Sequence, residues 1–112
     1  MFNIFLDDER FPHDVTWIEL PLRKWDILRT QEAFEQFVLM YGLENIDHIS
    51  FDNDLGDGMG EGIFCAQWMV NQVLDGKITW NPNFTYTVHS KNNVAAERIK
   101  GLLDPFIQFM KE

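Results

Sequence analysis

The sequence predicts an α/β domain built on a parallel sheet. Two observations carry that prediction: four short apolar runs, each followed by a polar residue, and helical patterns that fall between them. The runs are Phe2 to Leu6, Trp25 to Leu28, Ile49 to Phe51 and Thr85 to Val88. They are strand-length and hold β-branched and aromatic side chains, which pack well on a pleated surface. Strands that alternate with helices are joined by right-handed crossovers, which sets the strands parallel and lays helices on the sheet faces.

The connections follow in order. Between Leu6 and Trp25 no helical pattern appears; Pro12 and Pro21 bracket Val15 to Leu20, which reads as an extended excursion or an extra edge strand, so the first crossover helix is missing. After the second run, Ala33, Phe34, Phe37, Val38 and Tyr41 recur at helical spacing behind a Thr30 cap, and Gly42 sits where a helix end wants a positive φ. A glycine-rich loop follows the third run and leads into a helix carrying Ile63, Phe64, Ala66, Gln67, Met69, Val70 and Val73, stopped by Asp75-Gly76. The last helix starts near Asn92-Asn93 and carries Ala96, Ile99, Leu102 and Leu103. Asp104-Pro105 predicts a break there and a restart as a final turn, with Phe106, Phe109 and Met110 packing the end down.

Composition narrows the function classes. The 112 residues are 46% hydrophobic and 14% aromatic, enough to bury a core as one domain over 1–112. Lys+Arg 9 against Asp+Glu 18 gives a net charge of −9, and no basic run offsets it, which argues against nonspecific duplex-DNA or anionic-membrane binding. The single cysteine, Cys65, excludes a disulfide scaffold and reads as a buried small hydrophobe. Trp17, Trp25, Trp68 and Trp80 read as packing residues. Met1 to Leu6 lacks the basic start of a signal peptide, and no apolar run reaches the ~20 residues of a membrane span, so a cytoplasmic location is expected.

In a parallel sheet the residues directly after the strands collect along one edge, where such folds bind ligands. The runs deliver Asp7 and Asp8, then Arg29 and Thr30, then Asp52, Asn53 and Asp54, then His89, Ser90, Lys91 and Asn92. Carboxylates gathered there repel one another unless a cation lies between them, and a hard divalent ion, Mg²⁺ or Mn²⁺, on Asp7, Asp8 and Asp52 is the simplest answer. Arg29 adds a planar donor suited to phosphate, and the last helix opens its free N–H groups beside Ser90 and Asn92. His89, titrating near neutrality, suits proton transfer. Asp54 reads either as a catalytic carboxylate or as a turn residue in Asp54-Leu55-Gly56-Asp57-Gly58. His48, expected just before a strand at the opposite edge, and His13, in the proline-bracketed loop, are given no role. Asp52 to Gly58 resembles a calcium loop only superficially, because Gly56 falls on a ligand position, and no P-loop, Gly-x-Ser-x-Gly or zinc spacing is present.

The combined pattern Leu6-Asp7-Asp8-Glu9-Arg10-Phe11-Pro12, Ile49-Ser50-Phe51-Asp52-Asn53-Asp54-Leu55-Gly56 and Val88-His89-Ser90-Lys91-Asn92 resembles the cyclic-phosphate processing receiver domain family over almost the whole chain. The resemblance implies a receiver-like, flavodoxin-like doubly wound sheet, reduced to four strands because the fifth strand and its lysine have no counterpart. It implies that Asp7 and Asp8 match the acidic pair around Mg²⁺, that Asp52 matches the phosphoacceptor position, and that Lys91 or Arg29 stands in for the missing lysine. It also implies a cyclic-phosphate substrate, such as a 2′,3′-cyclic RNA end or a cyclic nucleotide, in bacteria or their viruses. Asn53 stands where the family often has histidine.

The resulting expectation is a metal-dependent phosphoesterase with Asp7, Asp8 and Asp52 on the metal. Asp52, Asp54 and His89 are its catalytic candidates, with Asp52 either nucleophile or ligand. Arg10, Arg29, Ser90, Lys91 and Asn92 are the candidates for phosphate contacts. The alternatives are a receiver-type phosphoacceptor module and a non-catalytic binder of a cyclic nucleotide or a protein.

Overall fold

Strand ends fix where the chemistry can sit, and here they fall in one row. The computed structural model describes residues 1–56 and 60–112. In chain order it has β1 (Phe2–Leu6), β2 (Asp26–Leu28), α1 (Gln31–Tyr41), β3 (Ile46–Phe51), α2 (Gly62–Leu74), β4 (Thr85–Val88) and α3 (Asn93–Lys111), with single 3-10 turns at Pro12–Asp14 and Leu43–Asn45. The sheet is ordered β2-β1-β3-β4 and every neighbouring pair is parallel. Leu6 pairs with Leu28 and with Phe51, and Phe51 pairs with Val88, so the last strand residues are in register. One further rung continues beyond them: the N–H of Asp7 donates to Leu28 O at 3.1 Å, that of Asp52 to Leu6 O at 2.9 Å, and that of His89 to Phe51 O at 2.9 Å.

Alternation along the strands separates two faces. Ile4, Leu6, Ile49, Phe51 and Val88 join Phe34, Val38, Ile63, Met69, Ile99 and Leu103 from the helices in one apolar core. Asn3, Phe5, His48, Ser50, Thr85 and Thr87 alternate with them and face the other way. The order reverses at β1, so right-handed crossovers send the β1–β2 connection to the face opposite the three helices. That connection is a loop with one 3-10 turn, as the proline-bracketed sequence predicts, and Val15 to Leu20 form no strand. Its Val15 is buried, and Trp25 meets Phe5 and His48 edge-on, with ring centroids 6.1 and 5.7 Å apart.

The predicted caps are present. Thr30 Oγ1 accepts from Ala33 N at 3.0 Å and Gly42 has φ +85°; Asn92 Oδ1 accepts from Ala95 N at 3.1 Å. Two expectations change. β3 starts at Ile46, not Ile49, which puts His48 inside a strand rather than ahead of it. α3 runs unbroken through Pro105, because Leu103 and Phe106, both buried, hold the helix down on either side of it, Phe106 against Trp80 at 5.1 Å. Pro105 is exposed and removes a hydrogen bond to the carbonyl four residues back. Pro105→Ala restores that bond, and urea denaturation is expected to show a gain of about 1–2 kcal/mol after the greater freedom of the unfolded chain is deducted.

Candidate functional site

The extra rung brings Asp7, Asp52 and His89 to the carboxyl edge of the sheet, where each offers a ligand atom within 4.8 Å of the others. Asp7 is wholly buried. Its Oδ1 accepts from the backbone N–H groups of Glu9 (3.0 Å) and Arg10 (2.8 Å), and its Oδ2 accepts from His89 Nε2 (3.0 Å). Burial pushes this carboxyl up, but the bonds from His89, Arg10 and Glu9 outweigh it and hold Asp7 well below the usual carboxylate range. Asp7 is therefore an anion throughout the physiological range.

Asp52 is in the opposite condition. It is 5% exposed, its Oδ1 accepts from Asn53 N at 2.9 Å and from no other of the described residues, and its Oδ2 lies 3.8 Å from Arg10 Nη1. Desolvation, and then the charge of Asp7, push its pKa up to about 7. Arg10 is the nearby cation, 3.5 Å from Asp7 Oδ2 as well, and at those separations it only partly offsets the crowding of the two carboxylates. Asp8 lies on the wall of the same cleft, outside the 4.8 Å cluster, and burial with the charges of Asp7, Glu9 and Asp54 raises it too.

The cleft is lined by Asp8, Glu9 and Arg10 after β1, by Asp52, Asn53 and Asp54 after β3, and by Ser90, Lys91 and Asn92 after β4. Five of the positions put forward from sequence have definite structural employment. Asp54, exposed, accepts from Gly56 N at 2.9 Å and bridges to Glu61, which is the turn role; the Asp57-Gly58 part of that turn lies outside the described residues. Asn92 caps α3. Ser90 Oγ accepts from Asn92 N at 3.2 Å while still lining the cleft. Arg29 lies outside the cleft lining. Its Nη1 donates to Asp7 O (3.1 Å) and Arg10 O (2.6 Å), and it lies over the Phe11 ring at 4.8 Å, so it clamps the β1 loop. His89 is wholly buried, with Nδ1 2.7 Å from Ser50 Oγ and its ring stacked on Phe5 at 4.4 Å. It touches Asp7 and has no exposed surface.

Sequence reasoning missed two contributors. Trp17, read as packing, donates from Nε1 to His89 O at 2.8 Å and presents its ring to Lys91 Nζ (4.4 Å) and the Arg10 guanidinium (5.1 Å). It holds both cations at the cleft from a loop with no periodicity to flag it. Gly62 is the other. It opens α2 with its N–H on Asn53 O at 2.6 Å, so close that a Cβ would lie 1.9 Å from Asp52 O.

A four-stranded parallel sheet with three helices, whose carboxyl edge carries an acidic residue after β1 and another after β3, is a compact receiver-like domain. Comparison with protein families makes that specific: the model of the cyclic-phosphate processing receiver domain matches residues 2–105, and the chain belongs to that family. No curated protein matches the chain, and no solved structure does. Among the described residues no helix is long and apolar enough to cross a membrane.

Proposed function

We propose that the protein is a metal-dependent phosphoesterase that opens cyclic phosphates, with Mg²⁺ or Mn²⁺ held by Asp7 and Asp52 and with Asp8 on the cleft wall. The observation that carries this reading is the pair of buried carboxylates in one cleft, one firmly ionised and one pushed up to about 7 by burial and by the charge of its neighbour. The donor set fits a hard cation: carboxylate oxygens, with Asn53 on the same cleft wall, its buried Oδ1 without a hydrogen-bond partner among the described residues. Such an ion, when bound, supplies Lewis acidity toward a phosphoryl oxygen.

The chain's own groups do the rest. Arg10, Lys91 and Ser90 line the rim and are placed to contact the remaining phosphoryl oxygens, with Trp17 holding the two cations in place. Asp52, on the cleft side, serves either as a ligand of the ion alone or as the nucleophile on phosphorus. Arg29 and His89 fix the backbone and side chain of Asp7. The family match supplies the substrate class, a small cyclic nucleotide or an RNA 2′,3′-cyclic end, and Lys91, Arg10 and Ser90 give the local positive and hydrogen-bonding character that a phosphate needs within a strongly acidic chain.

The test is a panel of 2′,3′-cyclic nucleotides, 3′,5′-cyclic nucleotides and 2′,3′-cyclic-ended RNA, with Mg²⁺, Mn²⁺ or EDTA, read by chromatography of the products. Ring opening that needs metal and falls on the order of 10³-fold in Asp7→Asn is expected, since the lost group anchors the ion. Absence of metal-dependent turnover on every substrate overturns the reading. Stable phosphorylation of Asp52 by a small phosphodonor, without turnover, replaces it with a phosphoacceptor module.

A further inference from the structure

A row of hydrogen bonds crosses the helix-free face of the sheet and ends on Asp7. Thr85 Oγ1 lies 2.7 Å from His48 Nδ1, and His48 Nε2 lies 3.2 Å from Thr87 Oγ1. Thr87 Oγ1 donates to Ser50 Oγ at 2.7 Å, Ser50 Oγ lies 2.7 Å from His89 Nδ1, and His89 Nε2 lies 3.0 Å from Asp7 Oδ2. The sheet register builds this path, since His48 pairs with Thr85 and Ser50 with Thr87 on neighbouring strands. We propose that Thr85, His48, Thr87 and Ser50 are positioning residues forming a one-directional hydrogen-bond relay that holds His89 in the Nε2–H tautomer donating to Asp7.

Proton counting sets the direction. The Asp7 carboxylate accepts only, so His89 carries its proton on Nε2. Ser50 Oγ takes the Thr87 proton, so the single Ser50 hydroxyl proton is left for His89 Nδ1, which is the acceptor. The one proton of Thr87 is thereby committed. Thr87 Oγ1 has only lone pairs left for His48, so His48 donates from Nε2 and accepts at Nδ1. Thr85 lies 3.4 Å from Asp47 O, far longer than its contact with His48, and gives its proton to the ring. Every donor and acceptor is used once.

His48 fits its place. It is 3% exposed, and burial together with the charge of Arg23 pushes its pKa down to about 4, so at neutral pH it has one donor and one acceptor. Nδ1–H on His48 would leave Thr87 facing two acceptors with one proton. Burial gives the ring no water to fall back on. The functional meaning of the relay rests on the metal reading of the cleft, because groups behind a ligand set its orientation and basicity.

The experiment separates the two. Long-range ¹H–¹⁵N spectra of the metal-free protein at pH 7 report each histidine's tautomer, and calorimetry with Mn²⁺ alone reports the cleft. His48 and His89 are both expected as pure Nε2–H tautomers in the wild type. Thr87→Val, close in shape but without the hydroxyl, is expected to mix the His48 tautomers, shift the His89 ring signals and weaken Mn²⁺ binding about ten-fold. Thr87→Ser keeps both readouts. Nδ1–H on His48 in the wild type, or unchanged histidine spectra in Thr87→Val, overturns the relay. Changed spectra with unchanged Mn²⁺ affinity overturn its positioning role. Expected spectra in a wild type that binds no Mn²⁺ uphold the tautomer relay and remove the metal reading instead.

Discussion

Asp52→Asn is expected to raise the thermal midpoint of the metal-free protein at pH 8 while abolishing its response to Mg²⁺ or Mn²⁺. In the fold Asp52 holds its proton up to about pH 7, against 3.8 for the ordinary side chain. The folded state therefore binds more protons than the unfolded chain between those values, and stability drops as pH climbs through that window. The difference, 7 − 3.8, at about 1.4 kcal/mol per unit, is on the order of 4 kcal/mol at pH 8. Asparagine has no charge to bury, so the variant escapes that penalty and melts on the order of 10 °C higher. Asp7 has the opposite sign: its depressed pKa favours the fold above the usual carboxylate range and stops doing so as the solution becomes more acidic. Together the two groups favour the metal-free fold most near pH 4. Added Mn²⁺ is expected to raise the wild-type midpoint at pH 8 and leave that of Asp52→Asn in place, a contrast that scanning calorimetry at two pH values measures directly.

Gly62→Ala is expected to damage both fold and site. Its φ is ordinary for any residue; the requirement is space, since the added methyl would lie 1.9 Å from Asp52 O and 2.9 Å from Asp52 C. Those atoms are backbone, so relief comes only by moving α2 away from β3 or by turning the Asp52 peptide. Either change breaks the 2.6 Å bond from Gly62 N to Asn53 O. A loss of about 3 kcal/mol or more is expected in urea denaturation, with Mn²⁺ binding lost in the fraction that remains folded. Gly101→Ala, where nothing lies within 4 Å of the added methyl, serves as the control and is expected to stabilise its helix slightly.

The sheet edge was legible because strand ends announce themselves: an apolar run followed by Asp7, Asp52 or His89 places those residues, whatever the loops do. The caps at Thr30 and Asn92 were legible for a similar reason, each being a local backbone requirement met by one side chain. Orientation was not legible. At a strand's last rung the sequence does not say whether a side chain faces the cleft or the sheet, so His89 reads as a proton carrier and is found behind Asp7. Arg29 likewise reads as a phosphate ligand, yet two backbone carbonyls 19 and 22 residues away in sequence claim it. The unbroken α3 escaped because proline's local cost is visible in sequence, whereas the packing of Leu103 and Phe106 that overcomes it is tertiary. Gly62 sits in a run where several glycines look alike, and only the approach of Asp52 O singles it out.

The segment joining β1 to β2 contributes Arg10 and Trp17 to the cleft, and also Val15 and Trp25 to the cover of the sheet's helix-free face. A hinge placed there would strip Phe5 and His89 of their shelter each time it swung open. On the proposed reading a substrate would therefore be expected to enter across the opposite rim, beside Asn53 and Asp54 after β3 and Ser90 to Asn92 after β4, and variation in its size would be accommodated on that side.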